Sequence, residues 1–257
     1  MRKVLGAIVV ASVFGISGLS ALCTDYYCGG ISFSIGYRYA DHNAQGAHIN
    51  DQNIGYIGFG VRFATPQELL QLVVNYRGNA YIRGRSKVTG LSDDVGGTNS
   101  GSGFDDTSVK LGVNLASQEV PFYVNVFAAA DNYSTRIKED GVDVKVPYFG
   151  VELDGKFPAG TGNNIEWSLG YGYALKDSVE YRFINSDPAK AQGHIIRASL
   201  ALAMLEGRQE VQAFLRLVGK YQMLDASTFT NYGAMPTAIN YPATKNAQAM
   251  VELGVKF

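Results

Sequence analysis

The chain has few of the residues that most often carry chemistry, with two cysteines and three histidines among 257 residues. It contains no zinc-ligand spacing, nucleophile elbow, phosphate loop or Walker motif. It also lacks a strong net charge, because 22 basic residues oppose 23 acidic ones, and this balance argues against nucleic-acid binding. After residue 30 no run of 18 consecutive apolar residues occurs, which excludes a transmembrane helix in that part of the sequence.

The first residues have the layout of an export signal. Arg2 and Lys3 form a basic start, an uncharged apolar run covers 4–19, and small residues follow at 20–21. We therefore predict a signal peptide over residues 1–22 and a single barrel domain over residues 31–257. Cleavage on either side of Cys23 fits the pattern. Cleavage before it would leave Cys23 and Cys28, which can pair in an oxidising compartment.

Alternation of apolar and polar residues with period two dominates the remaining sequence. Ile31, Phe33 and Ile35 share one face of an extended segment, and Ser32 and Ser34 share the other. About ten segments repeat this pattern, each near the 9–11 residues that a tilted strand needs to cross a bilayer. The pattern predicts an all-β fold, an antiparallel transmembrane β-barrel of about ten strands, with eight and twelve strands as alternatives.

The connections between these segments alternate in length. Short ones lie near Ala64–Glu68, Ala116–Pro121, Gly155–Asn164 and Leu205–Gln209, and longer ones near Asp41–Asn53, Gly78–Asp106, Asn132–Val142, Lys176–Gly193 and Asp225–Asn246. Bacterial barrels have short periplasmic turns and long extracellular loops, so the asymmetry predicts the orientation of the chain. The Asp140-Gly141 pair predicts a hairpin turn in the third long connection.

Aromatic residues collect at the two ends of the predicted strands, as expected for two interfacial girdles. The outer girdle comprises Tyr37, Tyr39, Tyr56, Tyr76, Tyr171, Tyr173 and Tyr221, and the inner one Phe63, Phe122, Trp167 and Phe257.

The last residues resemble the terminal strand of bacterial outer-membrane β-barrel proteins. Those proteins end in an aromatic residue, usually phenylalanine, preceded by apolar residues at alternate positions. Here Val251, Leu253, Val255 and Phe257 occupy those positions. The resemblance implies a place in the outer membrane, contact with its lipid, and recognition of this strand by the barrel-assembly machinery. It identifies no subfamily and leaves the activity open.

Charged and polar residues lie on the face of the strands opposite to the apolar one, which predicts that they line the lumen. A basic residue facing lipid at mid-depth would cost roughly 2–4 kcal/mol. The predicted lumen residues are Arg38, Arg62, Arg77, Lys110, Asn125, Glu152, Glu166, Arg197, Arg216, Lys220, Glu252 and Lys256. Two interpretations stay open: a packed network of ion pairs that fills a narrow barrel, and a narrow polar pore with a mild preference for anions.

Three functions fit this architecture. The first is a porin-like channel for small polar solutes, and the second is adhesion or recognition of a host surface ligand through the loops. The third, an outer-membrane hydrolase, has little support, because His194 has no closely spaced aspartate partner in the sequence. Clustered carboxylates in 84–106 and His42 with His48 give only weak metal signals. We therefore predict no enzyme activity, no cofactor, no metal and no nucleic-acid partner.

Overall fold

The computed structural model describes residues 22–23, 28–44, 47–79, 84–88, 99–137, 140–160, 162–183, 189–205, 211–229 and 239–257. Residues 1–21 of the predicted signal peptide lie outside these ranges, and that assignment stays a prediction. Cys28 is disulfide-bonded, and the backbone of Cys23 pairs directly across from it. The described ranges contain no helix of the length and apolar character that a membrane crossing requires.

The described residues form strands joined by short connections. The strands are β1 (Leu22–Cys23), β2 (Cys28–Ala44), β3 (Ala47–Ala64), β4 (Leu70–Gly78), β5 (Gly84–Val88), β6 (Asn99–Asn114), β7 (Phe122–Ile137), β8 (Asp140–Pro158), β9 (Asn163–Phe183), β10 (Ala189–Leu205), β11 (Gln212–Leu224), β12 (Ser227–Phe229), β13 (Ile239–Tyr241) and β14 (Thr244–Lys256). The barrel wall therefore begins at Cys28, slightly before the predicted boundary at Ile31.

Antiparallel pairing closes the sheet into a barrel with ten positions around its wall. Each wall strand pairs with its neighbours in sequence, and β14 pairs with β2 to complete the circle. The short strands β4 and β5 occupy one position, because both lie between β3 and β6. The prediction of about ten strands is confirmed. Strands β12 and β13 form a separate hairpin outside the wall.

Inward and outward residues alternate along the wall strands where their burial is described, as period two requires. In β14 the buried and exposed positions alternate from Thr244 to Glu252. The outward face carries a continuous apolar belt, represented by Ile35, Leu72, Leu111, Val126, Val151, Leu169, Leu200, Leu217 and Leu253. An exposed apolar surface that runs around the whole wall fits the hydrocarbon core of a bilayer, and it gives the barrel its transmembrane character.

Aromatic side chains mark one edge of this belt, with one exception to the predicted girdle. Tyr37, Tyr39, Tyr76, Tyr171 and Tyr221 are exposed on the outward face. The assignment of Tyr56 to this girdle is wrong, because its side chain is 1% exposed and points into the barrel. The reason is its parity: Ile57 and Phe59 face outward on β3, so Tyr56 must face inward.

One end of the barrel, here called the turn end, has tight connections. Thr65 begins the turn from β3 to β4, where its Oγ1 accepts hydrogen bonds from the amides of Leu69 and Leu70. Asn114 caps the connection from β6 to β7. The predicted Gly155–Asn164 turn is shorter than expected, because β8 continues to Pro158 and β9 begins at Asn163. The predicted turn at Leu205–Gln209 falls largely outside the described residues.

The opposite end, here called the loop end, differs more from the prediction. Segments predicted as long connections are mostly paired strand: β2 and β3 remain paired to Ala44 and Ala47, and β7 and β8 to Ile137 and Asp140. The third connection is the extended hairpin that we predicted, but Asp140-Gly141 lies within β8 instead of at the turn. Pairing satisfies backbone amides in water as well as in lipid. The alternation of apolar residues, by contrast, marks only the part of a strand that faces lipid.

Candidate functional site

A cavity enters the barrel from the turn end. Its volume is about 530 Å³, and its lining includes Arg62, Glu68, Lys110, Glu166, Arg216 and Lys256. Side-chain exposure falls with depth, from 41% at Arg62 to 23% at Lys256 and 3% at Lys220. The cavity is therefore open to solvent at the turn end and ends near the middle of the barrel.

The entrance holds an ion pair between Arg62 on β3 and Glu68 in the following turn. The Tyr123 hydroxyl donates a hydrogen bond to the Glu68 carboxylate, and Arg62 Nε donates to Gln71 Oε1 at 3.2 Å. Burial raises the pKa of the Glu68 carboxyl, but the hydrogen bond and charge of Arg62 lower it by more. The net pKa of Glu68 therefore lies below its usual range.

A second group, the Glu152 cluster, lies deeper on one side of the cavity. Glu152 accepts hydrogen bonds from Lys110 Nζ at 2.9 Å and from Arg197 Nε at 2.5 Å, and Lys110 also pairs with Asp154. Gly170 leaves the room for this arrangement, because an added Cβ would lie 3.2 Å from both Glu152 Oε2 and Arg197 Cγ. The carboxylate is thus buried between two cations, as buried charges require.

A third group, the Glu252 cluster, faces it across the lumen. Glu252 accepts hydrogen bonds from Arg77 Nε at 2.5 Å, Arg216 Nη1 at 3.1 Å and the Tyr56 hydroxyl at 3.2 Å. Nearer the turn end, Lys256 pairs with Glu166. Strands far apart in sequence supply these partners, so the pairs also hold the wall strands in register.

The deepest charges form the Lys220 cluster at the end of the cavity. Lys220 Nζ lies 2.9 Å from Asp106 Oδ2 and 2.7 Å from Asp131 Oδ1. Arg77 Nη1 lies 3.5 Å from Asp106 and links this cluster to the Glu252 cluster. Gln222 donates to Asp131 at 2.6 Å. A continuous series of charged side chains therefore extends from the entrance to the centre of the barrel.

Beyond Lys220 the lumen toward the loop end is filled by buried side chains, which include polar residues such as Gln52 and Gln222 and a large apolar cluster, here called the apolar plug. Its members are buried apolar and aromatic side chains: Ile54, Tyr56, Phe104, Phe127, Ala129, Tyr133, Val144, Val146, Tyr148, Ala174, Val179, Tyr181, Ala189, Ala191, Ile195, Val218, Leu224 and Met250. Phe127 and Tyr148 meet edge to face, with ring centroids 5.8 Å apart. The Arg197 guanidinium lies 4.0 Å from the Phe127 ring centre, where charge and plug meet.

The structure brings most of the predicted lumen residues together in these clusters. Arg62, Arg77, Lys110, Glu152, Glu166, Arg197, Arg216, Lys220 and Lys256 line the cavity. Asn125 and Glu252 are buried beside it, since Asn125 donates to the Glu152 carbonyl at 3.0 Å and Glu252 binds Arg77. Arg38 is separate, because its side chain is fully buried among residues of the loop end.

Two partners in these clusters, Glu68 and Asp106, are not among the lumen residues predicted from the sequence. Asp106 falls in a predicted long loop, although it has the same parity as Lys110 and Ser108 on β6. Extending the parity of each strand into its neighbouring connection would have found it. Of the predicted assembly residues, Val251 and Leu253 are exposed on the outward face, and Phe257 packs near Phe33 with ring centroids 6.5 Å apart.

The two histidines with described side chains, His42 and His194, lie on opposite faces of the wall. Within the described ranges, no group of three or more histidine, cysteine, aspartate or glutamate side chains is arranged to hold a metal ion. His42 is buried inside the barrel, stacked on Tyr133 with ring centroids 4.8 Å apart. His194 is exposed on the outer wall, where its Nδ1 lies 2.6 Å from the Tyr171 hydroxyl. Residues 89–98 and the side chain of His48 lie outside the described part.

The closed wall, the apolar belt and the charged interior together define a transmembrane β-barrel. No protein-family model and no curated protein matches the chain. Among solved structures it is similar to the outer-membrane protease OmpT of Escherichia coli, with a TM-score of 0.59 and 7% identity over 91% of this chain and 96% of that one. At this identity the likeness shows the architecture alone.

Other solved barrels are similar at lower scores. An outer-membrane channel of Pseudomonas putida F1 has a TM-score of 0.43 and 10% identity, over 94% of this chain and 98% of that one. The outer-membrane protein OprG of Pseudomonas aeruginosa has a TM-score of 0.32 and 13% identity, over 89% and 96%.

Proposed function

We propose that this protein is a non-enzymatic channel of the bacterial outer membrane, narrow, selective for small polar solutes and closed in the conformation described. The turn end faces the periplasm and the loop end faces the cell exterior. The observation that carries the proposal is the open charged cavity that reaches from the turn end to Lys220. A barrel that served only as an anchor would not need ion pairs arranged around open volume.

The geometry suggests how solutes would pass. The cavity lining alternates cations with carboxylates, so a small polar solute can exchange hydrogen bonds with successive clusters. Among the described cavity arginines that form ion pairs, Arg62 at the entrance and Arg216 deeper in are the most exposed, at 41% and 19%. These two arginines would favour anions. Passage beyond Lys220 requires Phe127 and Tyr148 to move, which makes the apolar plug the gate.

Planar-bilayer conductance of the refolded protein tests this proposal. We expect rare, small, anion-biased current steps for the wild type. Truncation of the gate in a Phe127→Ala/Tyr148→Ala double variant should make the steps larger and more frequent. Phe149→Ala is the matched control, because Phe149 follows Tyr148 on β8 but faces lipid with 49% exposure. Arg216→Gln should reduce the anion bias.

A folded barrel that carries no current, even in the double variant, would refute the channel. Folding is checked independently by the shift in electrophoretic mobility on heating. The same conductance in the Phe149→Ala and double variants would show that the plug is not the gate.

Recognition through the loop end is the second candidate, and the length of the strands favours it. Strands β8 and β9 have 19 and 21 residues, longer than a membrane crossing needs. Outward charges lie beyond the tyrosine girdle, including Lys145, Lys176 and Arg182. Such residues would be costly in lipid, so the strands extend into water and present a surface there.

The loop test must avoid residues that hold the barrel together. Deletion of Gly84–Asp106 would remove β5 and also Asp106, the partner of Lys220. Deletion of residues 89–98 or 230–238 spares both. Cells that display the protein should adhere to host cells if the loops are adhesive, and the short deletions should abolish that adhesion. Equal binding by all three proteins would exclude these loops as the adhesive surface.

A further inference from the structure

Arg38 differs from the other basic side chains buried in the barrel. Arg77, Arg197 and Lys220 each lie within 3.0 Å of a carboxylate oxygen. Arg38 is 0% exposed, yet among the residues that the structure describes no carboxylate forms an ion pair with its guanidinium. Asp131, another buried acid of the interior, is engaged by Lys220 and Gln222. Within the described part of the chain the guanidinium therefore has no counter-ion in direct contact.

Neutral groups satisfy only part of this guanidinium. Arg38 Nε donates to Gln248 Oε1 at 3.2 Å, and Nη1 donates to Gln52 Oε1 at 2.9 Å. The Phe104 ring centre lies 4.6 Å from its central carbon, which adds a weaker attraction. Arg38 Nη2 has no hydrogen-bond partner within the described residues.

A second donor beside Arg38 is also without a partner. Gln248 Nε2 is buried and unpaired in the described part of the chain, and its amide already contacts Arg38 through Oε1. Met250 and Ile54 lie directly across from Arg38 on the two neighbouring strands, and both are buried. Two N–H donors without a partner among the described residues, one of them cationic, thus lie together in the buried interior.

We infer that a small monovalent anion of about the size of chloride binds between Arg38 Nη2 and Gln248 Nε2. A buried charge without a partner is strongly unfavourable, and an anion removes this cost while it accepts from both donors. A water molecule would satisfy the donors but leave the charge uncompensated. Asn246 Oδ1 and His42 Nε2, which have no partner within the described residues, belong to a residue pair two positions beyond Gln248 on β14, where a water can bridge them.

The test compares the protein refolded in chloride, bromide and gluconate at equal ionic strength. Gluconate is too large for an enclosed site. We expect an unfolding midpoint that rises with halide concentration and not with gluconate, because only halide binds the folded state. Crystals grown in bromide should show an anomalous peak between Arg38 Nη2 and Gln248 Nε2.

The variant Gln248→Glu supplies the missing negative charge from the protein itself. It should lose the bromide peak, and its stability in gluconate should rise to that of the wild type in halide. Gln118→Glu, which adds the same charge on an exposed turn, should keep the full halide dependence and so control for general salt effects. Arg38→Met should abolish the dependence.

The test does not depend on Arg38→Met alone. If Arg38→Met fails to fold, Gln248→Glu should still fold, because it supplies a carboxylate to Arg38. Density for water alone at the site, with equal midpoints in all three salts, would overturn the inference. Halide dependence that persists in Gln248→Glu would overturn it as well.

Discussion

The two halves of the barrel interior are occupied by different kinds of side chains. Toward the turn end, the lumen is lined by paired charges around an open cavity, and Arg62, Glu166 and Lys256 remain partly exposed. Toward the loop end, Ile54, Ile195 and Tyr181 are almost completely buried in an apolar plug. The wall strands run through both halves. The same wall therefore encloses two kinds of interior, one held by ion pairs and the other by apolar packing.

The largest effect is expected where a charge of the cavity is most enclosed. Glu252→Gln removes the closest carboxylate of both Arg77 and Arg216, and removal of one partner from a buried pair costs about 3–5 kcal/mol. Urea unfolding of the protein in lipid vesicles measures the loss. Glu166→Gln is the control, because Glu166 and its partner Lys256 are both partly exposed and should contribute about 1 kcal/mol or less. Equal losses in the two variants would contradict the proposed gradient of burial.

A smaller effect is expected in the plug. Ile195→Val removes one methylene from a fully buried side chain, which costs about 0.5–1.5 kcal/mol. The loss should be the same at low and high salt, because no charge is involved. Its neighbour Ile196 faces lipid with 42% exposure, so Ile196→Val should cost less. A salt-dependent loss in Ile195→Val would show that the plug and the charged clusters are coupled.

The smallest effect is expected at the entrance, where the pair is most exposed. The folded pKa of Glu68 lies below its usual value, so its ion pair stabilises the fold above that usual value. This stabilisation is lost as the pH falls through the lowered folded pKa. Glu68→Gln should therefore be slightly less stable than the wild type at neutral pH and equal to it in strong acid. Unfolding midpoints across the pH range measure this difference, and a difference that grows toward acid would have the wrong sign.

The sequence was sufficient for the wall because lipid imposes a strict rule on it. Every lipid-facing position must be apolar, so the parity of Leu111 or Val151 predicts the parity of Lys110 and Glu152 as well. The number of strands follows from the number of such segments. This requirement applies only to positions that face lipid. For this reason the strand extensions near Ala44 and Ile137, which lie beyond the lipid, were predicted as loops.

The division of the interior into a charged cavity and an apolar plug could not be predicted from the sequence. Arg38 and Arg77 have the same parity and the same charge, yet Arg77 meets Glu252 while Arg38 meets two glutamines. Which inward side chains share a level depends on the stagger between strands, and alternation within one strand carries no information on it. Tyr56 illustrates the same limit, since its contact with Glu252 joins residues 196 positions apart.

The seam between β2 and β14 has a consequence for how the barrel forms. The Phe257 amide donates to the Ile31 carbonyl at 2.9 Å, and Arg38 contacts Gln248 from 210 positions away in the sequence. Contacts between residues so far apart in the sequence form late, because the long intervening chain must be restrained before they can form. Until then the nascent sheet has two unpaired edges, which are prone to pair with other chains. Closure of this seam, the last step of folding, is therefore also the step at which a second copy of the chain can compete most directly for pairing with β2 or β14.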